Sequence, residues 1–172
     1  MIITVGGIKG GSGKTTIATN LTVQRAAEGR DVLLVDADDQ ETASDFTMLR
    51  NDKLETGAGF TSIKLTGPAV RTEVRRLADK YDDIIIDTGG RDTTSQRAAL
   101  TVSDVMLVPF VPRSFDVWTL EKVSQLVAEM RAANAAMEGA SVTADEKRAE
   151  LLRQFDSWYT LSFSEEGAMD VA

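Results

Sequence analysis

Neither cysteine nor histidine occurs anywhere in the 172-residue sequence. Without cysteine, the chain can form no disulfide, no thiolate-bound metal site and no iron–sulfur cluster. Without histidine, any catalysis must use carboxylates, lysines, hydroxyls, backbone groups or a metal ion bound through oxygen. These two absences restrict the chemistry of the protein to oxygen and amine groups.

Long apolar segments are missing as well. No stretch of the sequence approaches the run of about 20 apolar residues that a bilayer-spanning helix needs. The N-terminus also lacks the charged, apolar and small-residue pattern of a secretory signal peptide. We therefore expect a cytoplasmic protein.

The net charge of −8 is distributed unevenly along the chain. Residues 116–172 contain 5 Lys and Arg against 11 Asp and Glu, whereas residues 1–115 contain 14 against 16. Proteins that coat nucleic acid through their overall charge have the opposite balance. Any contact with nucleic acid would therefore need a local basic patch.

Short apolar runs alternate with longer amphipathic segments along the chain. The runs predict strands at Ile2–Val5, Asp31–Asp36, Phe60–Leu65, Ile84–Asp87 and Val105–Pro109. The segments between and after them predict helices at Lys14–Glu28, Ser44–Arg50, Pro68–Lys80, Thr93–Val102, Trp118–Met137 and Ala144–Trp158. Gly29 is expected at the position that ends the first helix.

This alternation predicts an α/β fold with a mostly parallel, doubly wound sheet and flanking helices, of the P-loop NTPase type. The strand at 60–65 alternates apolar and polar residues and is expected at an edge of the sheet. Residues 1–138 are predicted to form the core. Residues 139–172 are predicted to add an atypical C-terminal helix and an acidic tail to the same domain.

A glycine-rich loop follows the first predicted strand. Gly7, Gly13, Lys14 and Thr15 follow the pattern G-x-x-x-x-G-K-[ST] with one extra residue between the two glycines, in the required position between a strand and a helix. Glycines allow backbone N–H groups to surround phosphate oxygens, and the positive end of the helix faces the same oxygens. Lys14 can then neutralise the β- and γ-phosphates, and Thr15 can bind Mg²⁺. The alternative is a glycine turn that serves only tight packing.

The same loop contains a second lysine, Lys9. The segment Lys9–Thr16, KGGSGKTT, resembles the deviant Walker A motif of the ParA/MinD ATPases, K-G-G-x-G-K-[ST]-[ST]. The resemblance implies that Mg²⁺ with ATP or ADP is the cofactor, and that Lys9 crosses a homodimer interface to the nucleotide of the other subunit. The nucleotide-binding residues that it implies are Gly10, Gly11, Ser12, Gly13, Lys14, Thr15 and Thr16.

Three aspartates at predicted strand ends extend the resemblance. Asp36 and Asp38 lie in a segment similar to the family's D-x-D-P-Q, in which Asp39 replaces the proline. By resemblance, Asp38 orients or activates the attacking water, Asp36 belongs to the Mg²⁺ shell or its support, and Asp87 binds Mg²⁺ through water. Residues 88–90 resemble the family's mobile second switch, and residues 108–116 resemble its proline-rich loop near the dimer face.

The resemblance covers residues 1 to about 137 and is closest to the small plasmid-partition ParA proteins, which lack an N-terminal helix-turn-helix arm. After Met137 the sequence lacks the family's strand with an asparagine and its proline-containing loop, which flank the adenine. We therefore expect a C-terminal part that is abbreviated, rearranged or truncated relative to the family.

The resemblance implies an ATPase that dimerises on Mg-ATP and binds DNA non-specifically to partition or position a cargo. Slow hydrolysis, stimulated by a ParB-like or other partner protein, would release the DNA, and the ATP-bound protein would associate with the nucleoid. The candidate DNA contacts are Arg71, Arg75, Arg76, Arg91 and Arg97. For each of these arginines, a solvated position on a helix face is an equally good explanation.

Two other functions remain open. A MinD-like positioning ATPase would use an apolar stripe at residues 151–159 on a membrane, but nearby acidic residues make membrane association the weaker expectation. A nucleotide-binding interaction module would bind Mg-ATP with little hydrolysis. A GTPase is disfavoured because the sequence has no N-K-x-D motif, and iron–sulfur relatives of this family are excluded because they need cysteines.

Overall fold

A computed structural model describes residues 1–91, 93–109, 122, 125–130 and 132. Residues 122, 125–130 and 132 are helical, as expected for part of the helix predicted at 118–137. The helix predicted at 144–158, the tail after 139 and most of the proline-rich loop lie outside the described residues. Within those residues, no helix combines the length and the apolar character needed to cross a membrane.

Five strands and four helices alternate through the first 107 residues. The strands are β1 Ile2–Val5, β2 Val32–Ala37, β3 Thr61–Lys64, β4 Asp83–Thr88 and β5 Val105–Leu107. The helices are α1 Lys14–Ala27, α2 Thr42–Lys53, α3 Ala69–Leu77 with a 3₁₀ turn at Ala78–Lys80, and α4 Thr94–Leu100. Most boundaries lie within two or three residues of the predicted ones, and β3 occupies the predicted edge.

The strands form one sheet in the order β3-β2-β4-β1-β5, and every pairing among the described strands is parallel. The predicted α/β fold is therefore confirmed. In this order β4 lies between β1 and β2, with Asp87 opposite Val5 on one side and opposite Asp36 on the other. The end of β1, which leads into the glycine loop, thus lies beside both aspartates, at the sheet edge where parallel α/β folds bind ligands.

The sheet is buried because β2 and β4 are apolar on both faces, as strands covered by helices must be. All six residues of each strand are buried. Helix α3 contributes Val70 and Val74, which are fully buried against the sheet. Burial of each such valine stabilises the fold by about 1.5 kcal/mol or more. The central strands and α3 therefore hold the frame that positions the loops.

Helix α1 contacts the sheet through a narrow face. Ala18, Leu21 and Thr22 are buried, whereas Ile17 stays 38% exposed. The buried positions follow the i, i+3, i+4 spacing of one helix face, and small side chains bring α1 close to the sheet.

The end of α1 confirms a local prediction. Gly29 has φ of 82°, a left-handed conformation that glycine adopts without a Cβ clash. Its N–H donates to the carbonyl of Ala26 at 3.0 Å. This is the glycine-terminated helix end expected from the sequence.

Candidate functional site

The glycine loop ends at the first residue of α1 in a conformation that requires glycine. Gly13 is the N-cap with φ of 86°, and Gly11 has φ of 72°. An L side chain at either position would be strained. The loop therefore leads directly into the N-terminus of a 14-residue helix, where backbone N–H groups and the helix dipole favour an anion.

Lys14 is buried at the base of this loop. Its side chain belongs to a residue only 6% exposed, and its ammonium donates to the carbonyl of Lys9 at 2.8 Å. Burial lowers the pKa of Lys14, while the nearby charges of Asp87 and Asp38 act in the opposite direction. A bound anion would also raise the pKa of Lys14 and so stabilise its charged form. The site therefore favours a ligand that brings negative charge to this ammonium.

Lys9 lies at the surface of the same loop. Its carbonyl accepts the hydrogen bond from Lys14, but the residue itself is exposed. The two lysines therefore differ in environment although both belong to one eight-residue segment. A residue that acts on the nucleotide of its own chain is expected to line the cavity. Lys9 is not among the residues that line it.

Asp87 is fully buried at the carboxyl end of β4, and within the described residues neither of its carboxylate oxygens has a hydrogen-bond partner of normal geometry. Burial raises its pKa to about 7, and the charges of Asp36 and Asp38 act in the same direction. The Thr15 hydroxyl and the Lys14 charge oppose that shift. A buried carboxylate left without partners is a site prepared for a cation or its bound water.

The arrangement fits Mg²⁺ bound mainly through a nucleotide. Among the described residues, no group of three acidic side chains could hold a metal ion by itself. Mg²⁺ commonly uses one or two protein oxygens together with phosphates and waters. Thr15 and Asp87 would supply those protein oxygens.

Asp36 is fully buried, and its oxygens are already occupied. One accepts hydrogen bonds from the backbone N–H of Ser44 at 2.8 Å and from its hydroxyl at 2.7 Å. The other accepts from the backbone N–H of Asp38 at 3.2 Å. Of the two roles predicted for Asp36, this geometry favours support: it ties the start of α2 to the loop that carries Asp38. Ser44 was expected only as a helix residue.

Asp38 lies half-buried at the cavity wall, in contact with the loop that follows β4. A Cβ on Gly89 would lie 3.1 Å from an Asp38 carboxylate oxygen. That oxygen also accepts from the backbone N–H of Gln40 at 3.2 Å. Glycine at 89 therefore gives the Asp38 carboxylate room beside the phosphate loop.

These loops enclose an open cavity of about 710 Å³. All seven predicted nucleotide-binding residues, 10–16, line it, together with Asp38. Asp36 and Asp87 are fully buried and are absent from its lining. The lining residues that the sequence did not assign to the nucleotide are Asp39, Gln40, Thr42, Gly89, Gly90, Arg91 and Thr93.

Gln96 is a further residue of the site that sequence reasoning missed. It is fully buried on α4, and its amide lies between the loops that follow β1 and β4. In the amide orientation that satisfies its neighbours, the nitrogen donates to the carbonyls of Gly7 at 3.1 Å and Gly89 at 3.3 Å. A long polar side chain among the apolar positions of a predicted helix was the available signal.

The five candidate DNA-contacting arginines do not form one group. Arg71, Arg75 and Arg76 lie on α3, where Arg76 is exposed and pairs with Glu73 at 3.3 Å. Arg97 lies on α4 and pairs with Glu129 at 3.3 Å. Arg91 lines the cavity itself. Only the three on α3 share one element.

Two curated proteins resemble the chain in sequence. The maintenance of carboxysome distribution protein A of Gloeobacter kilaueensis is 34% identical over 65% of this chain and 50% of that protein. The chromosome partitioning protein ParA of Myxococcus xanthus is 29% identical, over 89% of this chain and 68% of that protein. The chain thus spans about half the length of the first relative.

Solved structures share the fold. A plasmid partition protein of Borrelia burgdorferi bound to AMPPNP superposes with a TM-score of 0.65 at 23% identity, over 76% of this chain and 69% of that one. The pNOB8 ParA bound to nonspecific DNA superposes with a TM-score of 0.57 at 21% identity, over 70% of this chain and 56% of that one. At these identities the likeness establishes the fold alone.

The family comparison covers most of the chain. Residues 3–155 match the CobQ/CobB/MinD/ParA nucleotide-binding domain. The match includes the glycine loop and all three strand-end aspartates, so the resemblance read from the sequence is confirmed. The chain belongs to the CobQ/CobB/MinD/ParA family of nucleotide-binding domains, on its ParA/MinD side.

Proposed function

We propose that this chain is a ParA-like ATPase that forms a homodimer when it binds Mg-ATP, binds DNA non-specifically in that state, and so positions a cargo. Slow hydrolysis, stimulated by a ParB-like or other partner protein, releases the DNA. The proposal is carried by one observation: Lys14 is buried under the glycine loop, whereas Lys9 of the same loop is exposed. One lysine serves the chain's own nucleotide, and the other lies where a second subunit can reach it.

Hydrolysis in this site depends on position and charge. Lys14 neutralises the phosphates, and the N-terminus of α1 orients them. Asp38 accepts a hydrogen bond from the attacking water and aligns it with the terminal phosphate. Thr15 and Asp87 would hold Mg²⁺, which would supply positive charge that stabilises the transition state. With no histidine available as a base, slow turnover is expected.

The DNA-binding surface is proposed on α3. Arg75 and Arg76 are exposed there, and Arg71 is half-buried. Three cations on one short helix give a local basic patch on a chain whose overall charge is negative. A relative of the same fold, the pNOB8 ParA, is bound to nonspecific DNA, which makes DNA binding by this chain reasonable to test without locating it on α3. Cytoplasmic location and association with the nucleoid in the ATP state follow from DNA binding.

The dimer is tested by light scattering coupled to size-exclusion chromatography, with Mg-ATPγS present. We expect the wild type to elute at twice its monomer mass of 18.6 kDa. Lys9→Ala should stay monomeric while binding the nucleotide, because its phosphate site is intact. Lys80→Ala, which removes an exposed lysine distant in sequence from the loop, is the matched control and should dimerise. A dimer formed equally by Lys9→Ala would contradict the proposed role of Lys9.

DNA binding is tested by fluorescence anisotropy with a duplex of mixed sequence. The variant Arg75→Ala/Arg76→Ala should lose affinity and salt dependence, because each phosphate contact contributes to counterion release. Lys53→Ala, at the exposed end of α2, is the control for a lost surface charge. Unchanged binding by the double variant would remove α3 from the proposal.

A nucleotide-binding interaction module is the second candidate. The buried Lys14 and the cavity that it lines account for nucleotide binding and are equally compatible with this module. Measurable Mg-ATP affinity without turnover, in the presence of DNA, would support this module over the ATPase. The MinD-like alternative rests on residues 151–159, which lie outside the described residues.

A further inference from the structure

The cavity has few cations for the ligand it is proposed to hold. Of its lining residues, all of them in the part of the chain that the structure describes, only Lys14 and Arg91 carry positive charge, and Asp38 and Asp39 offset them. A triphosphate brings more negative charge than one buried ammonium can neutralise. Arg91 is therefore the second cation that this chain itself places at the phosphates.

Arg91 differs from Arg76 and Arg97 in having no partner among the residues that the structure describes. Within residues 1–91 and 93–109 and the described positions beyond, no hydrogen bond or ion pair engages its guanidinium. Arg76 and Arg97, by contrast, pair with Glu73 and Glu129. A guanidinium that lines a cavity without a carboxylate partner retains all its donors for a ligand.

The backbone fixes Arg91 close to the glycine loop. A Cβ on the preceding residue, Gly90, would lie 2.8 Å from both the N and the Cα of Gly10. The chain at 90 thus packs against the phosphate loop at the closest approach that glycine permits. Gln96 secures the same segment through its hydrogen bond to the carbonyl of Gly89 at 3.3 Å. Arg91 is therefore attached directly beside the phosphate site.

Position along the cavity distinguishes Arg91 from Lys14. Residues 10–16, with the start of α1, would surround the phosphates nearest the loop, whereas residues 39–40 and 89–91 line the cavity together with Asp38. Asp38 is the residue proposed to align water with the terminal phosphate. Because a Cβ on Gly89 would reach the Asp38 carboxylate and Arg91 follows two residues later, Arg91 lines the cavity near Asp38.

We propose that Arg91 donates hydrogen bonds to the terminal phosphate of the bound triphosphate, and that this contact makes the site prefer ATP over ADP. The proposal rests on the ATP-binding function above and adds a specificity residue to it. A planar guanidinium can engage two phosphate oxygens at once, which a lysine cannot do. The residue assigned from the sequence as a DNA contact thus becomes a sensor of the third phosphate.

The test is a competition titration of a fluorescent ADP analogue with ATPγS and with ADP, both with Mg²⁺. Arg91→Ala should weaken ATPγS binding about tenfold, the loss expected for a charge-assisted hydrogen bond, and change ADP binding less than about twofold. Arg91→Lys should fall between the two because it keeps the charge and loses the second donor. Lys53→Ala, which removes an exposed positive charge at the end of α2, is the control and should match the wild type.

The outcomes separate this inference from the function on which it rests. A wild type that binds ATPγS, with an Arg91→Ala variant that keeps the wild-type ratio of the two affinities, overturns the role of Arg91 alone. A wild type that binds neither nucleotide overturns the ATP site itself. Circular dichroism of each variant identifies a folding defect, which would weaken both nucleotides equally and so count against the inference.

Discussion

Strand β4 carries a buried aspartate at each end, and the two have opposite surroundings. Asp83, at the amino end, is fully buried and accepts hydrogen bonds from Arg25 at 2.8 Å and Arg30 at 2.6 Å. The N-terminal ammonium lies 3.5 Å from the same carboxylate. Asp87, at the carboxyl end, is equally buried but has no such partners among the described residues.

The pKa values of the two carboxyls move in opposite directions for this reason. Burial alone would raise the pKa of Asp83, but the hydrogen bonds and charges of Arg25, Arg30 and the N-terminus outweigh it, and the pKa is lowered. Burial raises the pKa of Asp87 to about 7 without comparable compensation. The carboxylate at the amino end of β4 has its opposite charges within the protein, whereas the buried carboxylate at the carboxyl end lacks comparable partners among the described residues.

The largest effect on stability is expected from removing the charge of Asp83 at the amino end of β4. Asp83→Asn leaves Arg25 and Arg30 without their shared carboxylate and should lower the free energy of unfolding by roughly 3 kcal/mol. Urea denaturation at pH 7 measures it. Since the folded pKa of Asp83 is depressed, this contribution is present above its unfolded value of 3.8 and is lost as the pH falls through the folded pKa.

Asp79→Asn is the control for Asp83→Asn, because Asp79 is exposed at the end of α3. It should change the free energy of unfolding by less than about 0.5 kcal/mol. Equal stability of the two variants would show that the ion cluster at the amino edge does not stabilise the fold.

At the carboxyl end of β4, removing the charge of Asp87 is expected to raise the free energy of unfolding. Asp87→Asn removes a buried charge that lacks partners and should raise the free energy of unfolding by about 2 kcal/mol at pH 8 without nucleotide. The same variant should lose the Mg²⁺ dependence of ATPγS binding, which a titration with and without the ion measures. A variant that unfolds less readily but no longer responds to Mg²⁺ would show that the Asp87 charge serves ligand binding and not the stability of the fold.

The pH dependence checks the cause of that gain. A carboxyl with folded pKa near 7 and unfolded pKa near 3.8 destabilises the fold increasingly as the pH rises between these values. The stability difference between Asp87→Asn and the wild type should therefore be largest above pH 7 and decrease toward pH 4. A difference that stays constant across this range would rule out the Asp87 charge as its source.

The smallest expected effect concerns Gln96, which ties the two loops of the carboxyl edge together. Gln96→Leu leaves the carbonyls of Gly7 and Gly89 without their shared donor and should cost about 1 kcal/mol in unfolding free energy. Gln96→Met, which has nearly the same length and also lacks the donor, is the matched variant. If both keep wild-type stability, the amide does not hold the loops.

Much of the fold was predictable because its signals are local. The apolar runs at 2–5, 32–35 and 84–86 became the central strands, and the glycine that ends α1 adopted its expected conformation. The segment KGGSGKTT likewise led to the correct family. The parallel pairing followed from the alternation of strands and helices.

Other features depended on contacts between distant segments. The hydrogen bonds that Asp36 accepts from Ser44 form only because α2 brings Ser44 to the end of β2. The position of Arg91 in the cavity depends on how the loop after β4 packs on Gly10. Neither residue spacing nor composition specifies such contacts.

The sequence by itself determined the alternating α/β architecture, the glycine loop with its two lysines and the family, because strand pattern, helix ends and loop conformation depend on neighbouring residues. The tertiary structure alone decided that Asp83 is neutralised and Asp87 is not, although both end the same apolar strand. The reason is physical: the pairing of β4 between β1 and β2 brings Arg25, Arg30 and the chain's first residue to one end of the strand. At the other end it brings together Asp36, Asp38 and the phosphate loop.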